Sequence, residues 1–182
     1  MYAIIVKTDD ELKQIVELSH KNHRMNVPET EKLKEGFISW EYSYELLKQM
    51  HELHPSIIVK DDDLLAGYAL VAFKKAKAFH KDLATMINNL EVIIYNNKRL
   101  EDYRYYVMGQ VCVDKDYRGK GVFDMLYQHH KTVLKDMFDF VVTEISVSNY
   151  RSIRAHEKVG FKTIYSYKDA MDEWNVVLWD WQ

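Results

Sequence analysis

Residues 117–123 read YRGKGVF, with Arg118 and Lys120 interleaved with Gly119 and Gly121. The stretch lies between an apolar run, Tyr105 to Val113, and a helix-like run that starts near Asp124. Several backbone N–H groups aimed at one point, with cations beside them where a helix begins, form a cradle for a phosphate-type anion. The donors are the N–H groups of Arg118, Gly119, Lys120, Gly121 and Val122. Glycine at 119 and 121 leaves out the Cβ atoms that would keep the backbone from the anion's oxygens. The same residues also suit a surface turn in which glycine supplies positive φ and the cations face water. The P-loop pattern G-x-x-x-x-G-K-[ST] is absent, which sets aside a free-nucleotide site.

The whole chain limits what can surround such a cradle. At 182 residues and 47% hydrophobic, residues 1–182 are expected to form one domain with a sizeable core. A net charge of -3 provides no broad basic surface, which argues against nucleic acid and makes any anion site local. The single cysteine, Cys112, lies inside an apolar strand pattern, which argues against a disulfide framework and against a metal cluster. The adjacent His129 and His130 do not converge on a metal either. No stretch approaches the roughly 18 apolar residues of a membrane span, and the N-terminal apolar run is short for a signal peptide. The expectation is a cytoplasmic protein with no membrane partner.

The elements that must position the cradle read as an α/β chain with a mixed sheet. Tyr2 to Lys7 alternates like a strand, and Thr8 with Glu11 forms a capping box that starts a helix carrying Leu12, Ile15 and Val16. A Val27-Pro28 break precedes a second helical stretch, and Tyr44 to Leu53 forms a third helix ending before Pro55. SIIVK and LLAGYALVAF, joined by acidic DDD, read as an antiparallel hairpin. Residues 80–94 return to helical spacing as an insertion. From Tyr105 the order is strand, the YRGKG turn, helix to about Asp136, strand Phe138 to Val147, helix from Tyr150, then strands Thr163 to Tyr167 and Trp174 to Trp181. The aromatic patch Phe37, Trp40, Tyr42 and Tyr44 reads as core and rim packing ahead of a substrate wall. The alternation in EWNVVLWDW offers an edge that a second copy could share, as in a homodimer.

The stretch GQVCVDKDYRGKGVFDMLYQHHK followed by VSNYRSIRAHEKVGF resembles the GNAT superfamily of acetyl-CoA-dependent N-acetyltransferases. The family pattern is a strand, a Q/R-x-x-G-x-G/A turn and a helix, then a strand ending in Asn and a helix ending in Y/H-E-K-x-G-F. The resemblance covers residues 105–162 and implies an acyl-CoA N-acyltransferase fold with splayed central strands. It implies acetyl-CoA as cosubstrate and no metal. Phe123 departs from the pattern, standing where a small residue is usual, and narrows the cradle. By the same resemblance the peptide-like pantetheine arm pairs with the strand edge Val111, Cys112 and Val113. Asn149 and Ser152 then join the cofactor site, although Asn149 also fits a plain strand-end turn.

Attack on a thioester needs a neutral amine, so a proton must leave the amine and another must reach the thiolate. The resemblance implies His156 as general acid, because it stands where the family has Tyr or His and its reference pKa lies near neutrality. Glu144, twelve residues earlier in TEISVSN, falls where ribosomal-protein N-terminal acetyltransferases have a Glu proposed as base. A structural salt bridge is the competing account of a strand carboxylate. Cys112 has no adjacent base, and the family transfers the acetyl group directly, so it reads as core. The expected function is N-acetyltransfer to a primary amine of a small-molecule or peptide acceptor, with a non-catalytic acyl-CoA-binding or sensing module as the alternative. The insertion from Lys81 to Asp102 and the patch from Phe37 to Tyr44 are expected to form the acceptor side.

Overall fold

Thr8 and Glu11 begin the fold as the capping box predicts. In the computed structural model, which describes residues 1–28, 30 and 37–181, the Thr8 side chain accepts from the Glu11 N–H at 3.2 Å. The Glu11 carboxylate in turn accepts from the N–H groups of Lys7 and Thr8. This closes the N-terminus of α1 (Asp9–Asn22), which follows β1 (Tyr2–Ile5). The second helical stretch expected after Pro28 falls on residues 29 and 31–36, outside the described residues. The third helix is α2 (Tyr44–Leu53), capped by Ser43.

The DDD hairpin forms between β2 (Ile57–Asp61) and β3 (Leu64–Ala72), with Asp62 in the left-handed conformation at φ 51°. The insertion is α3 (Lys81–Glu91) followed by a small ribbon, β4 (Ile94–Tyr95) and β5 (Lys98–Arg99). Asn96 and Asn97, both at positive φ, make the ribbon's two-residue turn. Then come β6 (Tyr105–Val113), α4 (Val122–Leu134), β7 (Phe140–Ser146), α5 (Tyr150–Val159), β8 (Lys162–Lys168) and β9 (Glu173–Asp180).

Seven strands form one sheet in the order β1-β2-β3-β6-β7-β9-β8. On one face Leu12, Ile15, Leu46, Met50, Leu83 and Ile87 from α1 to α3 pack over Tyr68, Leu70, Val107, Phe140 and Val142. On the other, Leu126, Tyr127 and Leu134 of α4 pack with Phe161 over Ile57, Val59, Tyr106, Val141 and Trp179. Each buried aliphatic side chain of this kind contributes roughly 1.5–3 kcal/mol.

Two irregularities shape the middle of the sheet. β6 and β7 are parallel and pair only from Tyr105–Phe140 to Val107–Val142; beyond that point the ladder stops. Thr143 still donates its hydroxyl to the Met108 carbonyl at 2.8 Å, and past it the strands splay. On its other edge β6 carries a bulge, because Ala69 opposes Val111 whereas Val71 opposes Met108. Tyr42 packs on that bulge and donates to the Gly109 carbonyl at 3.2 Å; a Cβ at Gly109 would lie 2.8 Å from the Tyr42 hydroxyl oxygen. Gln110, the other bulge residue, donates to the Trp40 carbonyl and accepts from Tyr68 and Ser19, tying the loop before α2 to the sheet. No helix among the described residues is long and apolar enough to cross a membrane.

Candidate active site

A cleft of about 870 Å³ opens where β6 leaves β7. Its walls include Val111, Cys112 and Val113 of β6, Tyr117, Arg118, Gly119 and Gly121 of the turn, the first turn of α4 and one face of α5 as far as Lys158. Gly121 is the N-cap of α4 and offers no side-chain cap, so the first N–H groups of the helix have no partner in their own helix. Gly119 and Gly121 hold φ of +75° and +81°, and a Cβ at either would meet nothing within 4 Å. Left-handed backbone is by itself a reason for glycine at both positions of this turn.

Arg118 is fixed rather than dangling. Its Nε donates to the Val113 carbonyl at 3.2 Å and a terminal nitrogen donates to Asn22 Oδ1 at 2.8 Å, which staples the turn to the end of α1. Lys120 extends over the Tyr117 ring at 5.2 Å and is not part of the cleft wall. The wall instead gains cations from α5, where Arg151, Arg154 and Lys158 share one helical face at spacings of three and four. With Arg118 these make four basic residues in the wall against one acidic residue, Asp124. The sequence reading missed this face, although its spacing is visible in NYRSIRAHEK.

Asn149 caps α5 by accepting from the Ser152 N–H at 3.2 Å, and its amide donates to the Phe37 carbonyl at 3.2 Å. It joins a helix start to the loop before α2, and with Ser152 it lines the cleft. Cys112 also lines the cleft but is 7% exposed, and burial pushes its thiol up to about 12. A thiol so protonated is no nucleophile near neutrality.

His156, expected as general acid, lies beneath the cleft wall. It is 2% exposed and is not among the cleft-lining residues. Its Nδ1 lies 2.7 Å from the Ser152 carbonyl, which can only accept, so Nδ1 carries the hydrogen. Nε2 then accepts from the Tyr127 hydroxyl at 2.6 Å. Phe123, Tyr127 and Phe161 meet the ring edge-on with centroids 5.0–5.3 Å away, and Phe123 is the one of the three that borders the cleft. Burial lowers the ring's pKa to about 4, so it is neutral near pH 7 with both nitrogens engaged. Phe123 thus stands between His156 and the cleft.

Glu144 lies on β7 beyond the last rung shared with β6, on the face opposite His156. Its Oε1 is buried without a hydrogen-bond partner, and burial raises the carboxyl to about 7 against a pull downward from Tyr167. No ion pair involving Glu144 is present among the described residues. The geometry does not bring Glu144 and His156 together. On the side of Glu144, the Trp40 ring lies 5.2 Å from that of His80, the N-cap of α3, so the two segments expected to form the acceptor side touch each other.

Comparison with known proteins agrees with this architecture. The structure resembles smu.2055 from Streptococcus mutans (TM-score 0.67, 14% identity, 99% of each chain covered). It also resembles a ribosomal-protein-alanine N-acetyltransferase from Brucella melitensis (0.64, 13%, 99% of each chain). A third neighbour is yncA from Salmonella typhimurium, a putative acetyltransferase solved with its cofactor acetyl-CoA (0.63, 13%, 99% of this chain and 93% of that one). No curated protein sequence matches the chain. The family model for acetyltransferases of the GNAT type matches residues 12–161, most of the chain, and the chain belongs to the acetyltransferase (GNAT) family.

Proposed function

We propose that this protein transfers the acetyl group of acetyl-CoA to a primary amine of a small-molecule or peptide acceptor, by direct attack within a ternary complex. The observation that carries the reading is Glu144, which lies outside the lining of the donor cleft: a half-buried residue on β7 past its last rung with β6, with its Oε1 buried, no ion pair among the described residues, and its carboxyl raised by burial to about 7. An ammonium has no lone pair, and a base with a pKa near the working pH removes its proton most effectively. Glu144 therefore accepts the amine proton, and the freed lone pair attacks the thioester carbonyl.

The donor side is read from the cleft wall. The uncapped N-terminus of α4, with the N–H groups of Gly119, Gly121 and Val122, faces the pyrophosphate, whereas the N–H groups of Arg118 and Lys120, also expected in the cradle, donate to the Lys115 and Tyr117 carbonyls; Arg151, Arg154 and Lys158 supply the positive field for the phosphates. The free edge of Val111–Val113 pairs with the pantetheine amides, and Asn149 and Ser152 border the same path. Acetyl-CoA supplies the activated acyl group and the thiolate leaving group. That thiolate takes its proton from water in the open cleft, because His156 is engaged on both nitrogens. The α3 segment and the Phe37–Tyr44 loop form the acceptor side.

Thiol release from acetyl-CoA across a panel of amines, with product mass spectrometry, tests this reading. Acetylated product that depends on Glu144 supports it. Tight acetyl-CoA binding with no amine-dependent thiol release would make the chain a binding module instead.

A further inference from the structure

Residues 37–42 run from the donor cleft to the side of the sheet that holds Glu144, and both ends of the run are bonded to what lies beneath. At the cleft end, Phe37 and Ile38 line the cavity with Asn22, Arg118 and Asn149. The Ile38 N–H donates to the Asn22 carbonyl at 3.0 Å and the Arg24 N–H donates to the Ile38 carbonyl at 2.9 Å, a short parallel bridge to the chain at the end of α1. At the far end the Trp40 carbonyl accepts from Gln110, and the Tyr42 hydroxyl donates to the Gly109 carbonyl, both on the β6 bulge. Thr143 bonds the Met108 carbonyl, so Gly109 stands level with Glu144. Tyr42 belongs to the same core as Phe140 and Val142, and alternation along β7 puts Glu144 on that face.

Asn149 ties the cleft end of this run to α5. The Ser152 N–H can only donate, so the atom it meets at 3.2 Å is Oδ1; the Phe37 carbonyl can only accept, so Nδ2 faces it at 3.2 Å. The oxygen serves the helix and the nitrogen serves the segment. The Asn22 and Arg24 groups that meet Ile38 belong to the main chain, so the side chain at 149 is an anchor that a substitution can remove. We propose that Asn149 is a positioning residue for the acceptor: it holds Phe37 so that residues 37–42 keep the acceptor wall in place beside Glu144, while the main chain of Val111–Val113 takes the pantetheine amides. This rests on the reading of the Phe37–Tyr44 loop as the acceptor side. A wall left loose at one end must be ordered by each acceptor as it binds, and a wall anchored beforehand spares the acceptor that cost. Such an anchor acts on the acceptor's KM and leaves the donor's affinity in place.

The test is Asn149→Ser, which keeps an oxygen to cap α5 and removes the amide that reaches Phe37. At saturating acetyl-CoA the acceptor KM is expected to rise about two- to tenfold, the range set by one hydrogen bond, with the calorimetric acetyl-CoA dissociation constant within about threefold of wild type. Hydrogen exchange at the Ile38 amide, followed without any acceptor, is expected to quicken while the melting temperature holds. An acetyl-CoA dissociation constant raised about tenfold or more, with acceptor KM and Ile38 exchange as in wild type, overturns the proposal and makes Asn149 a ligand of the donor. Trp40→Ala with an unchanged KM for every amine in the panel overturns the acceptor-side reading of the loop instead, while exchange at Ile38 still decides whether Asn149 holds the segment.

Discussion

The Tyr127 hydroxyl and His156 Nε2 lie 2.6 Å apart beneath the cleft, joining α4 to α5 at the point where the two helices flank the donor site. Since Nδ1 is committed to the Ser152 carbonyl, the pair is held in one tautomer and closes on itself. The arrangement links α4 to α5 and occupies both ring nitrogens. His156→Phe retains the volume but leaves the Tyr127 hydroxyl and the Ser152 carbonyl short of partners, a loss of about 1–3 kcal/mol. The expected outcome is a lower melting temperature with kcat within a few-fold of wild type. A fall of roughly 10² or more in kcat, with the fold intact, would restore His156 to the chemistry.

Acid stability follows from the same residue and from His130. The latter is fully buried, stacked on Tyr106, with its ring nitrogens on the Tyr106 hydroxyl and the Ala69 carbonyl. Burial lowers His156 to about 4 and His130 to about 3, so the unfolded chain binds these two protons at a pH where the folded chain does not. The stability they confer is fully present above about pH 6.5 and is lost as pH falls toward 4 and then 3. Urea unfolding measured across this window is expected to lose about one proton of pH dependence in His156→Phe. An unchanged slope would mean that His156 is already charged in the folded protein.

Elements governed by local rules were legible in the sequence. The Thr8–Glu11 box, the DDD hairpin and the apolar periodicity of α2 to α4 each depend on neighbours in the chain, and each formed close to where expected, except that α3 ends at Glu91 and Ile94, read as helical, begins β4. The ribbon β4–β5 was missed although Asn96-Asn97 is a strong two-residue turn signal, because strands of two residues have no alternation to detect. The site was legible in its backbone and less so in its side chains. Gly119 and Gly121 announce a turn, but nothing local says that Arg118 will reach Asn22, ninety-six residues away, or that Phe123 will cover His156. Motif position put His156 at the thioester, and nothing local announces its burial or its partner on α4.

The basic face of α5 carries a prediction about the donor. Arg151, Arg154 and Lys158 line the cleft with Arg118, and charge-assisted contacts of this kind are stronger than neutral ones. Arg151→Ala combined with Lys158→Ala is expected to weaken acetyl-CoA roughly three- to tenfold per removed charge, allowing for solvent screening. Acetyl-pantetheine, which lacks the phosphates, should be weak for wild type and unchanged by the substitutions. Calorimetric dissociation constants for both donors, at two salt concentrations, measure this directly. Equal affinity of wild type for the two would remove the phosphates from the recognition of this cleft.

Glu144 links catalysis to stability with opposite signs. Its carboxyl is raised by burial from 4.5 to about 7, so the folded chain holds that proton over a range where the unfolded chain has released it. The corresponding stability is fully present below about pH 4.5 and is lost as pH rises through 7, where a buried charge without an ion-pair partner must form. With Glu144 as the base proposed above, catalysis needs that same charged form, and wild-type kcat/KM is expected to rise through about pH 7. Glu144→Gln removes both effects at once. Unfolding above pH 7 should then require more denaturant than in wild type, while the rate near neutrality falls roughly 10² to 10⁴-fold. What remains should climb with pH toward the amine's own pKa, near 10.4 for an alkylamine, because only amine already deprotonated can attack. Parallel pH series of urea unfolding and initial rates on the two proteins decide the matter. If Glu144→Gln is destabilised above pH 7 and keeps its rate, the carboxylate is a structural group and the amine loses its proton by another route.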